Sequence, residues 1–183
     1  MNGDPRKPQI AIAQLYFATQ TRKQELYQQY LQDKQRFEEI LKFTESDKEL
    51  SKAMVEKKLN NKQIAIVKAK GQEMFYNDAT TNIRAKYGID KTTPIVNKAP
   101  QILITAQSHA NQITAHNIIE NKWLNSEPKI SKEHTTNNKA VRETLIERGI
   151  VPEKLPAEED TDKLPSKIQA FEGWLDDHNA LVL

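Results

Sequence analysis

The chain has 183 residues, 37% of them hydrophobic, and a mean hydropathy of -0.75, which suits one domain with appendages around a modest core. It contains no cysteine, which excludes disulfides, thiolate zinc sites and a cysteine nucleophile and fits a reducing cytoplasm. The net charge of +2 hides an asymmetry: residues 48–98 carry eleven basic against five acidic side chains, and residues 153–177 carry eight acidic against three basic.

The first residues, Asn2-Gly3-Asp4-Pro5, are turn chemistry, and a helix can start with Pro5 or Pro8 in its first turn, where a missing N–H costs nothing. From Ile10 to Ala18 every residue but Gln14 is apolar, which predicts a helix start buried on most sides, with Ala13 and Phe17 one turn apart in the core. On that reading Phe17→Ala costs roughly 3–5 kcal/mol. The apolar pattern then narrows to a stripe of Leu26, Tyr30, Phe37 and Leu41, with Tyr27 and Leu31 beside it. The apolar run is far too short to span a bilayer and lacks the basic flank and cleavage pattern of a signal peptide. A cytoplasmic protein with no membrane partner is expected.

Phe43-Thr44-Glu45 reads as a bend, and Ser46-Asp47-Lys48-Glu49 has the form of a capping box opening a helix to about Leu59, with Leu50, Met54 and Val55 inward. Gln63 to Val67 is short and β-branched. Gly71 can turn it towards Glu73-Met74-Phe75-Tyr76, which predicts a small β-hairpin near residues 63–76, although the sequence leaves a helix open there. Asp78 reads as an N-cap for residues 79–87, with Gly88 as the C-terminal stop. Further helices follow Pro94 and Pro100, the latter with Ile102, Ile113, Ile118, Ile119 and Trp123 inward. Another runs from Ser131 to Arg148 with Ile130, Val141 and Leu145 inward and ends at Gly149. A last helix carries Ile168, Phe171, Trp174 and Leu175. The fold class is mainly α, an elongated helical domain built on a long N-terminal helix. Its expected divisions are a helical domain over 1–150, an acidic Pro-rich linker over 151–165 and a short C-terminal helix with tail over 166–183.

No constellation of residues marks an enzyme, a metal site or a cofactor site. His109 and His116, seven residues apart on one helix, are separated by about 10 Å of rise and cannot share one metal without a bend. Ser108-His109 are adjacent on a helix and face different ways. There is no nucleophile elbow and no glycine-rich phosphate loop. The basic segment 48–98, with Lys57, Lys58, Lys62, Arg84 and Lys86, offers a surface for a partner or for phosphates. Residues 78–99 make only a loose helix-turn-helix, because the turn is too long and rich in threonine.

Two stretches carry a family resemblance. Asn2-Gly3-Asp4-Pro5, Ala13-Gln14, Tyr16-Phe17-Ala18 and Gln20-Thr21-Arg22 resemble the segment that follows the N-terminal BRO-type domain in the DNA-damage-inducible protein D (DinD) family and related phage antirepressor-like proteins. His134, Val141-Arg142, Thr144, Gly149, Pro152-Glu153 and Leu155-Pro156 resemble the family's carboxy-terminal part, while the middle of the chain is more diverged. The family places a BRO-type domain ahead of the first motif, so the chain reads as a form without it. The resemblance implies a non-enzymatic protein of the DNA-damage (SOS) response, acting on repair or recombination machinery, with the recombinase filament as one such protein partner. It draws His134 and Arg142 into the candidate surface. The alternative is an antirepressor-like nucleic-acid-binding module using segment 48–98, with DNA as partner. If the apolar face at Ile10, Ile12 and Leu15 lacks its neighbouring domain, a homodimer would cover it.

Overall fold

The structure is a computed structural model that describes residues 8–179. The turn expected at Asn2 to Pro5 lies outside them. Among the described residues there are six α-helices and no strand: α1 (Pro8–Glu56), α2 (Asn61–Tyr76), α3 (Thr80–Tyr87), α4 (Gln101–Glu120), α5 (Glu127–Glu147) and α6 (Leu164–Asn179). Short 3-10 turns occur at Ile95–Lys98, Pro152–Lys154 and Thr161–Lys163. The long N-terminal helix and the mainly α class stand.

The β-hairpin does not form. Asn60 accepts a hydrogen bond from the Gln63 amide while the Gln63 side chain accepts from the Asn60 amide, a reciprocal cap that starts α2. Ile64, Val67, Gly71 and Phe75 then fall on one buried face at helical spacing. The β-branched run reads as a strand on composition alone, and the cap together with the three- and four-residue spacing overrides it.

The bend at residues 43–45 is also absent, and α1 is continuous. Ser46 is buried, and its hydroxyl donates to the Phe43 carbonyl one turn back. It thereby satisfies itself inside the helix rather than capping a new one. The helix ends where Lys58 takes a left-handed φ of 67° and the Leu59 amide reaches back to the Met54 carbonyl at 3.2 Å. Gly88 (φ 59°) and Gly149 (φ 80°) do stop their helices. After Gly149 the Ile150 amide donates to the Leu145 carbonyl at 2.9 Å.

The described residues form two compact units, one of 8–36 with 163–179 and one of 37–162. In the first, Tyr30 stacks on Phe171 with ring centroids 4.9 Å apart and donates to the Glu172 carboxylate at 2.8 Å. The apolar start of α1 is not buried, however. Ile12, Leu15, Tyr16 and Phe17 are 59–69% exposed, and Ala13 is exposed as well. The apolar run is not a core segment, because no element among the described residues packs over it.

The second unit holds two apolar clusters. Leu50, Met54, Ile64, Val67, Ile118, Leu124 and Ile130 form one, and Phe75, Tyr76, Ile83, Tyr87, Ile95, Leu103 and Ile104 form the other. On α4 the inward face runs through Leu103, Ile104, Gln107, Asn111, Thr114 and Ile118, which leaves Ile102, Ile119 and Trp123 exposed. Val55 is exposed too. The acidic Pro-rich stretch is largely part of this unit: Pro152 and Thr161 are buried, and the Glu158 amide donates to the Lys98 carbonyl at 2.9 Å.

Candidate functional site

The inward face of α4 is half polar, and that is what shapes the interior of the second unit. Gln107, Ser108, Asn111 and Thr114 are all at least nine-tenths buried, as are Ser131, His134 and Asn138 on α5. Buried polar groups are costly unless hydrogen-bonded, and most of these are. The Ser108 hydroxyl meets that of Ser46 at 3.2 Å, and Gln107 donates to the Tyr76 phenol oxygen at 3.2 Å. Burial raises the ionisation of Tyr76 well above its ordinary range, so the phenol stays neutral.

His134 sits at the centre of this network. The Thr114 hydroxyl donates to the Ala110 carbonyl at 2.8 Å, so its oxygen can only accept from His134 Nδ1, 3.1 Å away. That fixes the Nδ1–H tautomer. Asn138 Nδ2 lies over the ring, 3.4 Å from Nδ1 and 3.3 Å from Nε2, and donates to the His134 carbonyl at 2.8 Å. Burial, with a smaller contribution from the charge of Lys68, lowers the pKa of the ring to about 4. The ring also explains Gly71: a Cβ there would lie 2.2 Å from His134 Cδ2, so only glycine lets α2 come this close to α5.

Beside His134 opens a cavity of about 360 Å³. Asn111, Gln107 and Asn138 line it together with the Asp47–Lys68 ion pair (2.6 Å), and Phe43, Ile95 and Val96 supply apolar wall.

Arg142 does a different job. Its guanidinium makes two parallel bonds to the Glu153 carboxylate, at 2.7 and 2.8 Å, and a third to the Phe75 carbonyl at 2.8 Å. That carbonyl lies in the last turn of α2, where helical partners are missing and a cation is favoured. One side chain therefore ties α2, α5 and the Pro152–Lys154 turn together. The Arg142 bonds hold the Glu153 carboxyl below its ordinary range.

The residues singled out from the sequence do not gather into one surface. Lys57 and Lys58 lie in the turn after α1 and Lys62 in the first turn of α2. Lys57 points its ammonium at the Asn121 carbonyl, 3.5 Å away. Arg84, on α3, donates to the Asp90 and Thr93 carbonyls at 2.6 Å each, and Lys86 donates to the Glu153 carbonyl. His134 is in the core, and Arg142 pairs with Glu153. Arg84 and His134 do meet at the cavity, whose amide lining the sequence reading missed. The available signal was the spacing of Gln107, Asn111 and Thr114, which puts three polar side chains on the face that holds Leu103, Ile104 and Ile118. His109 and His116 are exposed, and no group of three or more His, Asp and Glu among the described residues could hold a metal. No helix among them is long and apolar enough to cross a membrane.

Compared with curated proteins, the chain is 29% identical over 163 residues to DNA damage-inducible protein D of Escherichia coli (strain K12), across 85% of its own length. This is a DinD-like relationship. The chain spans 59% of the length of that protein. The stretch that carried the resemblance to the DinD family at the carboxy-terminal end now has a physical content: His134 packs on Gly71, Arg142 clasps Glu153, and Gly149 turns the chain between them. No family model and no solved structure matches the chain.

Proposed function

We propose that the chain serves in a bacterial DNA-damage response, as the name of its DinD relative suggests, and that it does so without catalysis, by docking on a protein of the repair or recombination machinery. The observation that carries this reading is the uncovered face at the start of α1. Ile12, Leu15 and Tyr16 recur at three- and four-residue spacing, all more than half exposed, with Phe17 beside them. A helix that presents such a row suits recognition by a groove on a partner.

The arrangement of basic residues favours a protein partner over nucleic acid. Lys68 is paired with Asp47 and Lys70 with Glu127. Arg84, Lys86 and Lys98 all donate to backbone carbonyls. Such side chains keep their charge but are anchored, which limits their reach to a phosphate backbone. Two measurements test the reading. Sedimentation of the chain with a recombinase filament assembled on single-stranded DNA should show co-pelleting that Ile12→Glu abolishes. Binding to random duplex should be weak. Tight duplex binding with a steep loss on added salt, and no filament binding, would instead establish the nucleic-acid module.

A further inference from the structure

The cavity in the second unit contains an amide with nothing to bond. Asn111 lines it, is 6% exposed, and has no hydrogen-bond partner among the described residues. Its amide atoms are not among the sealed, unpaired polar atoms of the described residues, so they face the open cavity, where a solute with a matching donor and acceptor can reach them. One turn earlier Gln107 commits its amide nitrogen to Tyr76, which leaves its carbonyl oxygen as an acceptor on the same wall. Asn111 and Gln107 together offer a donor and acceptors side by side.

The charges around the cavity are compensated. Asp47 and Lys68 neutralise one another at 2.6 Å, and Arg84 is held by two carbonyls. There is no free acid for a cation and no cluster of uncommitted cations for a phosphate. Phe43, Ile95 and Val96 make the remaining wall apolar. A volume of about 360 Å³ falls at the small end of the range for small-molecule sites.

We propose that this cavity is a binding site for a neutral nucleobase or nucleoside, held by its hydrogen-bonding edge against Asn111 and Gln107 and by its flat faces against the apolar wall. Asparagine and glutamine suit this task because a carboxamide pairs one donor and one acceptor with the adjacent acceptor and donor of a base. The assignment does not depend on the docking reading, which concerns the other unit of the chain.

The test is titration of the isotope-labelled full chain with adenosine, guanosine, uridine and AMP, followed by amide resonances. At least one nucleoside should shift, in a saturable way, the backbone signals of cavity residues and the side-chain amide of Asn111. Asn111→Leu should weaken that nucleoside at least tenfold while leaving the melting temperature unchanged or higher, because no protein hydrogen bond is lost. If Asn111→Leu does not fold, Asn111→Asp, of the same size but without the amide donor, should show the same weakening. The proposal is overturned if millimolar nucleoside leaves the cavity signals unmoved, or if the Asn111 variants bind as well as the parent. Preference for AMP over adenosine by more than tenfold would also overturn it, since the site would then be built around phosphate.

Discussion

Replacing Gly71 by alanine should destabilise the protein even though alanine is the better helix former. In an open helix interior the change gains about 1 kcal/mol. Here the new Cβ would lie 2.2 and 2.3 Å from His134 Cδ2 and Nε2, and 2.9 Å from Asn138 Nδ2, where ordinary contact begins near 3.4 Å. Overpacking of this kind costs roughly 1–3 kcal/mol. The shortfall at Gly71 exceeds 1 Å, which puts the cost at the upper end of that range. If the ring escapes towards the cavity it gives up its bond to Thr114, a further loss of about 1 kcal/mol. The balance is a net loss of about 2–3 kcal/mol, or roughly 4–12 °C in melting temperature for a chain of this size. Thermal and urea denaturation of Gly71→Ala, His134→Ala and the double variant measure it. Gly173→Ala serves as control, because a Cβ on that α6 glycine meets nothing within 4 Å and should be neutral or stabilising. With the ring removed, Gly71→Ala should become far milder or even favourable. An unchanged or raised melting temperature for the single variant, or an equal penalty in the His134→Ala background, would refute the close-packing argument.

Three further outcomes follow from the same geometry. Because the folded pKa of His134, about 4, lies below its unfolded value of 6.5, the unfolded chain takes up the extra proton first. Stability should therefore hold above pH 6.5 and fall by about 3 kcal/mol as the pH drops towards 4, a slope that His134→Gln flattens in denaturation series at fixed ionic strength. Arg142→Ala should cost about 2–3 kcal/mol in urea denaturation and Arg142→Lys a large part of it, since an ammonium cannot make the two parallel bonds to Glu153. Phe17→Ala should change the melting temperature by no more than about 1–2 °C, because that ring is 68% exposed, in contrast to the buried position its neighbours in sequence suggest.

Much of the helical order was legible because it rests on local chemistry. Gly88 and Gly149 end helices through left-handed backbone that other residues avoid, and Pro100 immediately precedes a helix where the fixed φ is harmless. Errors arose where a local signal had two meanings. Ser46 to Glu49 has the spelling of a capping box, yet the Ser46 hydroxyl bonds backwards inside α1. Gly71 has the spelling of a turn but serves a close approach between two helices, a fact that depends on His134 sixty-three residues away. The cavity was invisible for a related reason. Hydrophobic periodicity turns Ile119 and the following Trp123 inward and passes over Gln107 and Asn111. Polar side chains belong inside only when partners on other helices meet them, and those partners come from α1, α2 and α5.

The clasp at Arg142 has a consequence for how the second unit breathes. The end of α2 and the Pro152–Lys154 turn are far apart in the chain, yet both are bonded to one guanidinium, and Lys86 of α3 donates to the same turn. Fraying of either segment strips a partner from the guanidinium that holds the other. Amide hydrogen exchange should accordingly find Tyr76 to Asp78 and Lys154 to Leu155 opening with one shared free energy and the same denaturant dependence, as a single cooperative unit. In Arg142→Ala the two segments should exchange independently, each at its own lower free energy, while the core amides around Leu50 and Ile118 keep theirs.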